Sequence, residues 1–290
     1  MNPREYETEV LEGNHLLFKY LSSPRVSTIG RFGSVESNLL ASIVEKNVTI
    51  KNRWQGWVNA GISFPTNSVL NQFSKFYTDS ILELDCLAAW PMEVLPSQKP
   101  LINEHLPKSS FIIPLRCLDP VQMVVDGLSS TEVWTCALRG KNVLVIHSFS
   151  DLIHSQYSKN LSLHVKRILP EFNLYTIRPP ITNGLTFWKG SYTANLNNFN
   201  VLIEKFISEH KIDVALIAAG SYGLPITCTL KKLGVSSIYM GGSLQVLFGI
   251  LGNRWRGIEG LQAAITDSWV KSPKENRPLG YKLIERGTYW

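Results

Sequence analysis

The segment Asp213-Val-Ala-Leu-Ile-Ala-Ala-Gly-Ser-Tyr-Gly-Leu-Pro-Ile-Thr-Cys-Thr-Leu-Lys-Lys-Leu-Gly-Val-Ser-Ser-Ile-Tyr-Met240 decides the fold. Asp213 to Ala218 reads as a buried strand, Gly220-Ser-Tyr-Gly223 as a loop, Leu224 to Leu233 as a helix and Val235 to Met240 as the next strand. Phe199 to His210, just before it, has the apolar spacing of an amphipathic helix. A strand, glycine turn, helix and strand in so short a run imply a right-handed parallel crossover, and such sheets bind ligands beyond the carboxyl ends of their strands. The expected fold class is therefore α/β, a Rossmann-like parallel sheet flanked by helices. The Gly220 loop is not a full Gly-x-Gly-x-x-Gly fingerprint, and Pro225 in the first helical turn suits plain turn chemistry equally well.

The same alternation extends upstream. Lys141 to His147 is a short apolar run of the kind found in buried parallel strands, Ile153 to Leu169 has helical length before Pro170 stops it, and Phe172 to Ile177 reads as another strand. His147 falls at the carboxyl end of its strand, where such folds place functional side chains, with a hydrogen-bonded structural histidine as the alternative. Gly241-Gly242 ends the last strand and starts a helix carrying Gln245, leaving amides for an anion or only a tight turn. No repeat or linker divides the chain, so one domain is expected over residues 1–290. Its N-terminal part, 1–140, holds the Trp54/Trp57 pair, the Asn59-Ala-Gly-Ile-Ser-Phe-Pro65 turn and a mostly helical passage through Leu70, Phe73, Tyr77, Leu82 and Leu84; residues 141–290 form the Rossmann-like part.

In the N-terminal part, Ser27-Thr-Ile-Gly-Arg-Phe-Gly-Ser-Val-Glu36 reads as a ligand-binding junction or, equally, as a capped strand-to-helix turn with a buried Phe32. Val26 to Ile29 is strand-like, Gly30 and Gly33 relax the backbone, Ser34 suits an N-cap, and Glu36 falls in the first turn of a helix carrying Leu39, Leu40, Ile43 and Val44. Arg31 would face an anion at the positive end of that helix. Arg254 and Trp255 offer a phosphate contact and a stacking ring, with packing as the alternative for the indole.

Composition excludes several classes. The 290 residues carry a net charge of +6 and 44% hydrophobic residues, enough to bury a sizeable core. The basic residues lie in small groups, Lys166-Arg167, Lys231-Lys232 and Arg254 with Arg256, and no nucleic-acid-binding pattern appears, so no nucleic acid is expected as partner. Cys86, Cys117, Cys136 and Cys228 lack metal or disulfide spacing and read as small hydrophobes. A serine-nucleophile elbow and a complete dinucleotide fingerprint are both missing. The apolar runs are too short to span a bilayer and the N-terminus lacks a leader pattern, so a cytoplasmic protein is expected; Arg254-Trp255-Arg256 offers either peripheral contact at the inner face of the membrane or a core Trp with flanking solvated arginines, the latter favoured.

Arg31-Phe-Gly-Ser-Val-Glu36 resembles the Arg-Phe-Gly-Asp-Gly-Glu signature of GT-D type glycosyltransferases. Further blocks resemble proteins of bacterial capsule and surface-polysaccharide biosynthesis with GT-D-like folds. These are Asn59-Ala-Gly61 with Pro65, Leu138 to His147 with Phe149, Leu169-Pro170, Ala219 to Pro225, Leu233 to Ile250, Arg254-Trp255, Arg277-Pro-Leu-Gly280 and Gly287-Thr-Tyr-Trp290. The resemblance implies transfer of a sugar from a nucleotide-sugar donor to a surface polysaccharide or a lipid-linked glycan acceptor. On that reading Glu36 and His147 are the candidate catalytic residues, and Arg31, Gly33, Ser34, Gly220, Ser221, Gly241, Gly242 and Arg254 bind the donor phosphates. The resemblance also implies a manganese or magnesium ion, but Ser34 stands where the signature has its first acid and leaves Glu36 as the one aligned metal ligand. The same substitution defines the alternative, a non-catalytic polysaccharide-assembly protein with a degenerate donor site.

Overall fold

The computed structural model describes residues 3–89, 97–159, 167–186, 190–258 and 260–290. The chain opens with helix α1 (Pro3–Ser22), followed by strand β1 (Thr28–Arg31) and helices α2 (Ser34–Val44), α3 (Ile50–Val58) and α4 (Asn67–Ile81). Next come β2 (Cys86–Ala89), α5 (Lys99–His105), β3 (Phe111–Pro114) and α6 (Pro120–Val125). The second part runs through β4 (Asn142–His147), α7 (Ser150–Tyr157), β5 (Asn173–Ile177), α8 (Tyr192–Glu209), β6 (Val214–Ala218), α9 (Gly223–Lys232), β7 (Ser236–Tyr239) and α10 (Ser243–Leu247). A two-stranded parallel pair, β8 (Ile250–Leu251) with β9 (Val270–Lys271), follows before a run of 3-10 turns to Trp290.

The seven main strands form one parallel sheet in the order β3-β2-β1-β7-β6-β4-β5. Alternate residues of its central strands feed two apolar layers. Val143 and Val145 of β4, with Val214 and Leu216 of β6, join a cluster with Leu17 and Leu21 of α1, Ile153 of α7 and Leu244 and Leu247 of α10. Leu144, Ile146, Ala215 and Ile217 join the other, with Leu39 and Leu40 of α2, Phe73 of α4, Phe199 of α8 and Leu224 and Ile226 of α9. The period-two alternation puts these clusters on opposite faces, so the continuous apolar runs of the sequence are strands covered on both sides. The expected α/β architecture with a Rossmann-like parallel sheet is the one observed.

The halves meet at β1 and β7, where Ile29 pairs with Ile238 and Ser27 donates its backbone N–H to Ser236 Oγ at 3.1 Å. Strands from residues 1–140 and 141–290 thus share one sheet.

Several boundaries move. The strand expected over Val26–Ile29 begins at Thr28 and continues to Arg31. Helix α8 starts at Tyr192, seven residues before Phe199, because Ser191 caps it by accepting the Ala194 N–H. Of the helix expected over Ile153–Leu169, α7 covers the start and ends at Tyr157, whose ring stacks on Phe172 and whose hydroxyl receives the Phe172 N–H. Residues 160–166 of that expected helix, with Lys166, lie outside the described residues. All four cysteines are free, and burial raises their thiols above the usual range, pushing Cys117 up to about 12. Among the described residues no helix is long and apolar enough to cross a membrane.

Candidate active site

A cavity of about 380 Å³ opens at the carboxyl ends of β1, β4, β6 and β7. Its wall includes Arg31, Gly33, Ser34, Glu36, His147, Gly220, Gly241, Gly242 and Arg254, so nearly every site residue expected from the sequence reaches one space. This follows from the all-parallel sheet, whose strands all deliver their final residues to the same edge.

Ser221 is the exception. It is fully buried away from that wall, and its N–H donates to Ala60 O at 3.1 Å. The Tyr222 and Gly223 amides are likewise used within the turn, bonding to Ala219 O and Gly220 O. The Gly220 loop is therefore a locked strand-to-helix turn. Tyr239 and Tyr192 reinforce it by donating their hydroxyls to Gly220 O and Ser221 O at 3.0 Å each. Gly220 needs its positive φ of 53° there, where a Cβ would also crowd Ala60 O at 3.2 Å.

The junction at β1 and α2 departs from its expected form. Gly33, and not Ser34, is the N-cap, with no side-chain cap bond; Ser34 is the first helical residue and its side chain is exposed. Glu36 folds back against Gly33 so that its carboxyl occupies the space a Gly33 side chain would need. That carboxyl is buried, and desolvation raises its pKa, opposed by its own backbone N–H and by the Arg31 guanidinium. Tyr77 stands beside it and accepts the Gly33 N–H at 3.3 Å.

Arg31, the last residue of β1, extends over Gly241, whose positive φ of 70° and missing side chain make room: a Cβ there would lie 2.6 Å from Nη1. Arg31 donates through Nη2 to Phe32 O at 3.4 Å, and its buried Nε has no hydrogen-bond partner. A guanidinium with an unsatisfied buried donor at a cavity wall is built for an anion. Arg254 adds a second, exposed cation at the rim.

His147 is buried at the end of β4, and its Nδ1 accepts the Phe149 N–H at 2.9 Å. Burial lowers its pKa to about 3. The ring is therefore neutral, with its proton on Nε2, and acts as a hydrogen-bond donor. With Nδ1 engaged by the Phe149 N–H and the proton on Nε2, the ring has no free acceptor nitrogen. The Gln245 amide nitrogen is committed to Ile250 O and Tyr289 O. Trp255 is buried against Tyr289, so the Arg254-Trp255-Arg256 segment cannot present its indole to a membrane.

Sequence reasoning missed Asn59, Asn183, Tyr239, Glu285, Tyr289 and Trp290, which complete the wall. Glu285 and Arg286 are consecutive non-glycine residues with φ of 44° and 63°, a costly backbone state. It is held by Asn59 Oδ1, which accepts the Glu285 N–H at 3.2 Å, and by Thr288 O, which accepts the Arg254 N–H at 3.0 Å. The Tyr289 hydroxyl donates to Glu285 Oε2 at 3.4 Å, and burial pushes that phenol up to about 12. Asn59, Tyr239, Tyr289 and Trp290 lie in the Asn59–Gly61, Leu233–Ile250 and Gly287–Trp290 blocks of the resemblance, which assigned them no role, and Asn183 and Glu285 carried no signal in sequence.

The donor set does not fit the divalent ion that the resemblance implies. Ser34 supplies a neutral hydroxyl, Glu36 is a buried carboxyl biased toward its protonated form, and among the described residues no three His, Cys, Asp or Glu side chains gather as ligands.

The sequence matches no protein-family model and no curated protein. Its fold is similar to two solved structures. One is a glycosyltransferase (DUF1792) from Streptococcus sanguinis, 12% identical, covering 90% of this chain and 93% of that one with a TM-score of 0.52. The other is a selenomethionine-substituted structure of the domain of unknown function 1792, also 12% identical, covering 92% and 100% with a TM-score of 0.50. At this identity the likeness establishes a shared α/β fold over nearly the whole chain.

Proposed function

We propose that the cavity binds the diphosphate of a nucleotide sugar and that the protein is a glycosyltransferase acting on a glycan or lipid-linked acceptor. The observation that carries this reading is Arg31, a guanidinium with an unpartnered buried Nε at the carboxyl edge of a parallel sheet. Similarity of fold to a DUF1792 glycosyltransferase supports it. Arg31 and Arg254 offset the charge of the departing diphosphate, and the Nε2–H of His147 donates to a phosphate oxygen. The acceptor oxygen bonds to the anomeric carbon as the bond from that carbon to the diphosphate oxygen breaks. The bonding pair leaves with the diphosphate, and the acceptor's proton passes to Glu285, the less buried of the two cavity carboxylates. Protein cations do this work, so donor binding needs no manganese or magnesium.

The test is thermal shift of the purified chain with nucleoside diphosphates and nucleotide sugars, in EDTA and in manganese. A ligand at about a hundred times its dissociation constant adds about 2.7 kcal/mol, a shift of a few degrees. One nucleotide family should stabilise the protein equally with and without metal, and Arg31→Gln should abolish the shift. A folded protein that no such ligand stabilises overturns the donor reading, and binding that requires manganese overturns its metal-free form.

The second reading, a donor-binding assembly protein without turnover, is favoured by the exposed Ser34 and the buried, protonation-prone Glu36. Under it the nucleotide sugar binds but no nucleoside diphosphate is released in the presence of glycan acceptors.

A further inference from the structure

Helix α3 carries an apolar stripe that the sheet does not use. Ile50, Trp54 and Trp57 are spaced to share one helical face, and Ile50 is 88% and Trp54 46% exposed. The Trp57 ring meets Trp54 edge-on at 6.0 Å and stacks on Phe64 at 6.2 Å, which brings Phe64, itself 46% exposed, onto the same surface. This presentation is built. Phe64 has a φ of 49°, costly for an aromatic residue, and Arg53 fastens the turn behind it by donating to Pro65 O and to Asn67 Oδ1. Lys46, four residues before Ile50, and Lys51, directly after it, are exposed; the acid next to Lys46, Glu45, accepts from Asn47 Nδ2.

We propose that this face docks on an anionic lipid bilayer, with Ile50, Trp54 and Phe64 entering the interface and Lys46 and Lys51 meeting the headgroups. A carbohydrate platform would need a flat ring with hydroxyl partners and has no use for an aliphatic side chain as exposed as Ile50. A stripe of indole, phenyl and aliphatic groups with exposed lysines near it in the chain matches the two layers of a membrane interface, and the chain's net charge of +6 has the matching sign. Helix α3 runs directly into Asn59 and Ala60 of the cavity wall, so a docked protein holds its site beside the membrane surface. The docking does not depend on the donor reading, and its test contains no nucleotide, so each can fail without the other.

The experiment is co-sedimentation of the full chain with phosphatidylcholine vesicles with and without phosphatidylglycerol. The protein should favour the anionic vesicles by roughly tenfold or more, less so as salt rises. Ile50→Asp, an acid in the first turn of α3 where it suits the helix, should lower binding by a similar factor while leaving the fold intact. Lys46→Gln with Lys51→Gln should remove the anionic preference. Brominated phosphatidylglycerol should quench part of the tryptophan fluorescence, and Trp54→Phe should remove that part. Absence of binding to phosphatidylglycerol vesicles, or binding unchanged in the Ile50 and lysine variants, overturns the proposal.

Discussion

Burial drives His147 and Glu36 in the same direction, toward the neutral form, with opposite consequences for how stability depends on pH. His147 is lowered from 6.5 to about 3, so below pH 6.5 the unfolded chain takes up a proton that the folded chain refuses. Its contribution is whole above pH 6.5 and is lost as pH falls toward 3, about 2 kcal/mol by pH 5. Asp119, raised to about 6 by burial, acts the other way over part of this window, as does Glu36. Comparison with His147→Asn separates the effects, because the amide oxygen keeps an acceptor for the Phe149 N–H but does not titrate. Urea unfolding at pH 7 and pH 5 should show the wild type losing about 2 kcal/mol more than the variant. Gly33 supplies a second test at this scale. Gly33→Ala places a methyl group where the Glu36 carboxyl lies, whereas its φ of −74° is open to alanine, so the cost should vanish in a Glu36→Ala background. A coupling of about 1 kcal/mol or more in that double-mutant cycle is expected; additive effects would mean that Glu36 does not fold onto Gly33.

At the scale of elements, turns decide which loops offer amides and which do not. The turn from β6 into α9 was open in sequence to phosphate binding or to plain turn chemistry, and the Ser221, Tyr222 and Gly223 amides are spent on Ala60 and on the turn itself. Gly223 lies against the Tyr239 ring, so Gly223→Ala displaces the tyrosine whose hydroxyl bonds to Gly220 O. The expected cost is about 1–3 kcal/mol in denaturant unfolding, because a packed interior accommodates an added methyl by strain. The strands β4 to β7 and α9 were legible because their apolar runs are bounded by turn residues, whereas β2 and β3, four residues each, were not read from sequence. The true start of α8 was less so, since Ser191 competes with several nearby polar residues for the cap, and the end of α7 at Tyr157 was not legible because the Tyr157 contact with Phe172 is made only across the fold.

Over the whole molecule, residues 285–290 bring a remote part of the chain to the wall of the site. Trp290 is buried against Phe149, Tyr281 and Tyr289 and donates its Nε1–H to Asn276 O at 3.1 Å. Trp290→Ala should therefore lower stability by about 3 kcal/mol and weaken nucleotide binding beyond that loss, as Glu285 and Tyr289 drift from the wall; isothermal titration beside a melting curve checks both. The sequence by itself determined the parallel α/β fold, the strands β4 to β7 and the closeness of Arg31 and Glu36 at one junction, because periodicity and turn chemistry act over a few neighbouring residues. Only the tertiary structure decided that Glu285 joins the site through Asn59, 226 residues away, and that Ser27 and Ser236, 209 residues apart, bring the halves into one sheet. It also decided that His147 keeps its proton on Nε2, because the Phe149 amide takes Nδ1 and burial withholds a second proton, and a sequence records neither condition.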